Sequence, residues 1–356
     1  MSLAVRQEVL RLALRDPFRI ARSDHGAGHQ VTTVIVEVRD ERLPGLVGVG
    51  EGYPDRFYGE TPDTMTAVIP LLLDLAELRL VDPPDPATVA ASLDRLASIW
   101  AGAIRGHGAA KCALDIALHD LAGKALGIPV HALLDLPAEI PPTDFTIGLD
   151  EPGVVAERAR RAARFPALKI KVGGPGDLAT LEAVREVYDG PIRVDANTGW
   201  TPGDAEALLP HLERLGVELI EQPFPARRLD QLRWLQERSS LPIVADESCV
   251  LEEDLEGLVG VVAGVNVKLA KCGGIAPARR MLERAAELGF RTFLGCMEET
   301  SVGIAGSAAV ASLAEWVDLD GCLLLADDPF VGLELGSDHR WRLGDRPGLG
   351  LTRKVA

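Results

Sequence analysis

The chain has 356 residues, 47% hydrophobic and 25% charged, a composition that excludes disorder and can bury a sizeable core without disulfides or a structural metal. Its 37 Lys and Arg against 53 Asp and Glu leave a net charge of −16, which argues against a nucleic-acid backbone or an anionic membrane as the main partner. Five cysteines, at 112, 249, 272, 296 and 322, form no CxxC pair, so a reducing, cytoplasmic setting is expected. The opening MSLAVRQEVLRLALRDPF meets charge every few residues, unlike a signal peptide. No uncharged apolar run reaches the roughly 18 residues of a membrane span.

In chain order, the β-branched Val31–Val38 and the segment Gly45–Gly52 read as strands. Before them, RIARSDHGAGH reads as a mobile loop. From Pro62 to about Leu126 the pattern is helical, most clearly over Ala109–Gly123. An α+β domain over residues 1–129 is expected. After Pro142 short apolar strands alternate with helical segments: DFTIGLD, ALKIKVGG, PIRVDANTG, ELIEQPF, PIVADES, GVNVKLAKCGG, RTFLGCMEE and WVDLDG. Eight such units predict an α/β fold with a closed parallel barrel over 130–324. A doubly wound open sheet is the alternative, but no GxGxxG or GxxxxGK[ST] turn is present. Residues 325–356 carry short strand-like pieces and are expected to return to the first domain.

The ionisable residues fall where the barrel strands end. Lys169 and Lys171 close the second strand, Asp195 and Asn197 the third, Glu221 the fourth, Asp246 and Glu247 the fifth, Lys268 the sixth. Successive positions lie 22 to 26 residues apart, one βα unit each, so these side chains share the C-terminal face where barrel active sites form. Asp195, Glu221 and Asp246 would repel one another without a cation between them, and oxygen ligands of this kind suit Mg²⁺ or Mn²⁺. A salt-bridge network with the lysines is the structural alternative. Lys171 and Lys268 flank the carboxylate strands and can face opposite sides of a bound substrate. Lys169 adds positive charge that would lower the pKa of Lys171. Deprotonation α to a carboxylate leaves an enediolate whose charge a metal can hold, and two opposed lysines allow inversion. Lys271, in the AKCGG turn, is a rival for Lys268.

The motifs KIKVG, RVDANTGW, IEQPF, VADES and NVKLAKCGG together resemble the enolase superfamily, specifically its muconate-lactonizing-enzyme-like subgroup. The resemblance covers essentially the whole chain and implies a modified (β/α)7β barrel under an α+β cap. It implies a Mg²⁺ site of Asp195, Glu221 and Asp246, supported by Asn197 and Glu247, with Lys171 and Lys268 as bases. Met297 and Glu299, in GCMEETSVG, are expected with Lys169 on the substrate side. Asp318 and Asp320, two apart on the last strand, resemble the Asp-x-Asp pair with which dipeptide epimerases bind the free amino terminus. Arg22 resembles the arginine some members use to hold the Glu side chain of Ala-Glu; a solvent-facing arginine is the competing reading. The resemblance therefore implies a dipeptide epimerase, with L-Ala-L/D-Glu favoured. Cycloisomerases, o-succinylbenzoate synthases, N-acylamino acid racemases and a non-catalytic binder of metal and carboxylate remain alternatives. The expected partners are a small-molecule dipeptide and further copies of the chain in a symmetric homo-oligomer.

Overall fold

The computed structural model describes residues 3–25, 29–80 and 85–355. β1 (Leu3–Ala13) pairs antiparallel along its length with β4 (Gln30–Asp40). A reading that starts the sheet at Val31 misses β1, because its arginines and glutamates hide a two-residue period with one wet face. The segment expected as a loop holds a short hairpin, β2 (Phe18–Ile20) with β3 (Ser23–His25). β5 (Gly48–Gly52) completes the sheet beside β4.

Three helices follow: α1 (Pro62–Leu73), α2 (Pro86–Ala103) and α3 (Gly108–Leu126). Every residue of α3 from Ala109 to Gly123 is buried, as befits a helix enclosed on all sides. It lies directly on β5. A Cβ on Gly48, Gly50 or Gly52 would come within 1.9–2.1 Å of the carbonyl oxygens of Ala117, Ala113 and Ala109. The alternating glycines of GVGEG and the alanines of α3 are two halves of one contact.

After α4 (Val130–Leu133) comes an eight-stranded parallel sheet in sequential order. Its strands are β6 (Phe145–Ile147), β7 (Leu168–Lys171), β8 (Ile192–Asp195), β9 (Val217–Glu221), β10 (Ile243–Ala245), β11 (Gly264–Lys268), β12 (Arg291–Gly295) and β13 (Trp316–Asp318). The ring nearly closes: Asp144 N donates to Val317 O at 3.0 Å, just ahead of β6. The connections carry α5 (Pro152–Arg161), α6 (Asp177–Arg185), α7 (Pro202–Arg214), α8 (Leu229–Gln236), α9 (Leu255–Leu258), α10 (Leu269–Cys272), α11 (Ile275–Glu287) and α12 (Ser301–Ala308). This is the capped α/β barrel that the alternating strands predict.

Inside the ring, Leu219, Val244, Phe293 and Trp316 form an apolar plug. Each stands two residues before the inward-facing position at its strand's C-terminal end, so the plug underlies the polar layer. Beyond β13 run α13 (Gly321–Leu324) and the short strands β14 (Phe330–Val331), β15 (Glu334–Leu335), β16 (Trp341–Arg342) and β17 (Thr352–Arg353). This last part of the chain reaches β1: Leu14 bridges Leu325, and Arg353 forms two hydrogen bonds with Glu8 at 2.6 and 2.7 Å.

The β2–β3 hairpin sits on the barrel's loops. Leu149 N donates to Arg19 O at 2.9 Å. A Cβ on Gly173 or Gly199 would lie 2.5 or 2.6 Å from Ala21 Cβ, so only glycine permits this approach.

Candidate active site

The strand period carries Lys169 and Lys171, Asp195, Glu221 and Lys268 into the barrel mouth, with Asp246 just past β10. All are buried, Asp195 and Glu221 completely. Asp195, Glu221 and Asp246 each offer an oxygen, and these lie within 4.8 Å of one another. Oxygens around an octahedral Mg²⁺ at about 2.1 Å sit roughly 3–4 Å apart, so the trio needs only a slight contraction to enclose an ion. Lys169 Nζ lies 2.8 Å from Glu221 Oε2, yet that buried oxygen has no hydrogen-bond donor. Three hard oxygens, one of them unmet, fit a divalent cation.

The lysines divide the work. Lys171 Nζ donates to Asp195 Oδ2 at 2.7 Å and Lys268 Nζ to Asp246 Oδ2 at 2.9 Å. β7 and β11 are four strands apart in a ring of eight, so these two lysines rise from opposite walls. Burial works against the charge on Lys268, but Asp246 outweighs it and holds the ammonium above its usual pKa. Burial also opposes ionised Asp246, yet Lys268 and Lys271 hold that carboxyl well below its ordinary range. Lys169 lies deeper and 1% exposed, touching Asp195, Glu221 and Asp318. Lys271, the rival on the sequence, is in α10 and is pinned there. Its Nζ reaches Asp246 Oδ1 and the carbonyls of Asp246, Cys249 and Asn266 at 2.5–2.9 Å. More than enough acceptors surround its three protons, and it does not line the cavity with Lys171 and Lys268.

That cavity also takes in Asp318, Asp320, Met297, Arg22 and Asn197. Only Asp318 is on the last strand; Asp320 lies beyond it, at the N-terminus of α13. The two still converge, because Thr146 on β6 holds both. Its N donates to Asp320 Oδ2 at 2.6 Å and its Oγ1 to Asp318 Oδ1 at 3.0 Å. Burial opposes charge on Asp318, but Lys169 holds its pKa low; burial and the Asp318 charge push Asp320 well above the carboxylate range.

Arg22 is only partly exposed, its side chain at 19%. It is hydrogen-bonded to Glu247 Oε1, 3.9 Å from Asp55 Oδ2, and stacked 4.4 Å over the Phe57 ring. Asn197 Nδ2 donates to Glu247 as well, at 3.2 Å, and Asn197 N to Asp195 Oδ1 at 3.0 Å. Asn197 and Glu247 therefore link the carboxylate trio to the cap. Tyr53 is buried, and His119 lies within the cap, its Nδ1 2.8 Å from Asp115 O.

Glu299 turns away from the cavity. Its Oε2 accepts from Met297 N at 3.2 Å, while burial and the nearby Glu51 push its pKa up to about 8. A buried carboxyl raised from 4.5 to about 8 binds its proton more tightly folded than unfolded, so stability falls as pH rises through that window. Glu299→Gln is expected to keep the shape and flatten the dependence. Melting temperatures of the two proteins should converge at pH 5 and separate at pH 8–9, with the variant higher. Parallel curves would show that Glu299 does not titrate in this range.

Reading strands by charge leaves out Asn266 and Thr146. Asn266, two residues before Lys268, donates to Glu221 Oε1 at 2.7 Å; the same two-residue period finds it. No comparable signal marks Thr146 or Asp55, since their roles come from distant partners.

Two family models match. The enolase C-terminal domain-like model covers residues 154–354, and the mandelate racemase/muconate lactonizing enzyme N-terminal domain model covers residues 3–135. The chain belongs to the enolase superfamily. An L-Ala-D/L-Glu epimerase of Bacteroides thetaiotaomicron is 36% identical over 96% of this chain and 86% of its own length. An L-Lys-D/L-Arg epimerase of Methylococcus capsulatus is 36% identical over 95% of both chains. Among solved structures, the dipeptide epimerase of Enterococcus faecalis V583 complexed with Mg and L-Leu-L-Tyr superposes with a TM-score of 0.86. It is 32% identical and covers 99% of this chain and 100% of its own. These superfamily relatives are epimerases, which are isomerases by class.

Proposed function

We propose that this isomerase is a Mg²⁺-dependent dipeptide epimerase that inverts the Cα of the C-terminal residue of a dipeptide. One observation carries the reading: a single cavity holds two lysines from opposite walls and an aspartate pair at one end. Asp195, Glu221 and Asp246 would hold the ion, which supplies positive charge to bind the substrate carboxylate and to steady the negative charge that develops on it. Asp318 and Asp320 take the free ammonium group, fixing the dipeptide at its other end. Lys171 and Lys268 then face the two sides of the Cα–H. One removes the proton and the other returns a proton to the opposite face. A cycloisomerase or lyase substrate without an ammonium group leaves the aspartate pair unused, and a mere binding protein needs no opposed lysines.

L-Ala-L/D-Glu is the substrate that Arg22 supports as a carboxylate partner. A second reading rests on the contacts of Arg22 itself: Glu247 and Asp55 already meet its charge. That favours an apolar or basic second residue, as in the Enterococcus and Methylococcus relatives. A dipeptide library incubated with the Mg²⁺-loaded enzyme in deuterium oxide decides between them. The accepted dipeptides gain one deuterium at Cα, read by mass spectrometry. No mass shift across the library, with turnover of muconate or a succinylbenzoate precursor instead, overturns the epimerase reading.

The ammonium site has its own test. Asp318→Asn combined with Asp320→Asn should lower kcat/KM for a free dipeptide by at least about tenfold, since a charge-assisted contact contributes roughly 1.5–3 kcal/mol. An N-acetylated dipeptide should lose far less. Equal losses would show that the pair serves the fold alone.

A further inference from the structure

Beside Thr146 lies a second cavity, an open groove lined by α5, β6 and the Arg15–Phe18 segment. Its rim carries Arg15, Arg158, Arg161 and Arg164 against one lining carboxylate, Asp16. In a chain of net charge −16, this is a local reversal of sign. Three of these arginines come from one run, RARRAAR at 158–164, spaced three apart so that they share a side of α5 and the turn after it.

The arginines are only partly neutralised. Asp16 Oδ2 lies 3.0 Å from Arg161, and Asp16 Oδ1 lies 3.6 Å from Arg158 Nε, while Asp150 accepts from Arg158 Nη2 at 2.9 Å. Arg15 gives its Nε to Leu325 O at 2.8 Å, and Arg164 lies over the Phe165 ring at 5.5 Å. Neither has an ion-pair partner among the described residues. The Arg158 side chain is 9% exposed, and its Nη1, shielded from solvent, has no acceptor. The groove's floor is apolar, built of Phe145, Phe165 and Leu323. A cationic rim over apolar lining residues matches an anionic head on an apolar body.

We propose that this groove binds an amphipathic organic anion, an alkyl or aryl carboxylate or phosphate. Its head meets the exposed Arg161 and Arg164 guanidiniums, with Arg158 adding positive charge beneath them, and its body lies on the phenylalanines. The site is separate from the barrel mouth, although Phe18, Thr146 and Leu324 line both cavities.

Calorimetric titration of the Mg²⁺-loaded enzyme with octanoate, octyl phosphate and octan-1-ol tests the assignment. At least one anion is expected to bind saturably, and which one names the head group; octan-1-ol should not bind. Arg161→Gln with Arg164→Gln, both exposed positions, should weaken the anion at least tenfold. Arg164→Gln alone breaks no ion pair and should weaken it about threefold, which keeps the test open if the double variant melts early. The proposal fails if neither anion saturates. It fails equally if octan-1-ol binds as well as the anions, or if affinity survives both substitutions, which would place the probe at the barrel mouth.

Discussion

Alanine at Lys171 or at Lys268 is expected to abolish net epimerisation, a loss of at least the 10²–10⁴-fold typical of a general acid–base group. The reason is geometric: β7 and β11 face each other across the ring, so in the proposed reaction each lysine would serve one face of Cα and neither could complete an inversion alone. The surviving lysine can still exchange the proton of the enantiomer it faces. Lys171→Ala and Lys268→Ala should therefore wash deuterium into opposite enantiomers of the same dipeptide, followed by NMR in deuterium oxide. Exchange of the same enantiomer by both variants would falsify the two-base arrangement. Inversion by Lys268→Ala at the native rate would transfer the role to Lys271, against the four short contacts that hold its Nζ in place.

The second large effect concerns the carboxylate trio. Chelation should silence the enzyme, and Mg²⁺ or Mn²⁺ should restore it. Glu221→Gln keeps the acceptor for Asn266 Nδ2 but removes a charge. It should raise the Kd for Mg²⁺ by at least the 10–100-fold that loss of an outer-sphere partner already costs. Binding measured by calorimetry and turnover should fall together. Wild-type affinity and activity in this variant would remove Glu221 from the ligand set.

The barrel and its polar layer were legible because a parallel barrel repeats. A period of about 25 residues places strand ends on one rim, and a period of two turns alternate side chains inward, so Asp195, Glu221 and Lys268 could be found from spacing alone. What failed to show lacked such a repeat. β1 looks like surface because one face is wet. Asp320 is off its strand, and only a backbone N–H from Thr146, 174 positions away, brings it to Asp318. The partner of Arg22 is 225 positions distant, beyond any local pattern. Spacing finds the chemistry; contacts between distant segments set what the site accepts.

The anchoring of the β2–β3 hairpin has a practical consequence for redesign. Arg19 and Ala21 fasten the hairpin to the loops at Gly148–Leu149, Gly173 and Gly199, while Arg22 and Phe57 contribute to the rim beyond that anchor. Recombination libraries that keep 18–21 and the three glycines fixed, and vary position 22 with 53–59, should yield variants that accept different dipeptides. In such libraries the lysines on β7 and β11 stay untouched, so altered selectivity could be selected without disturbing the two proposed bases.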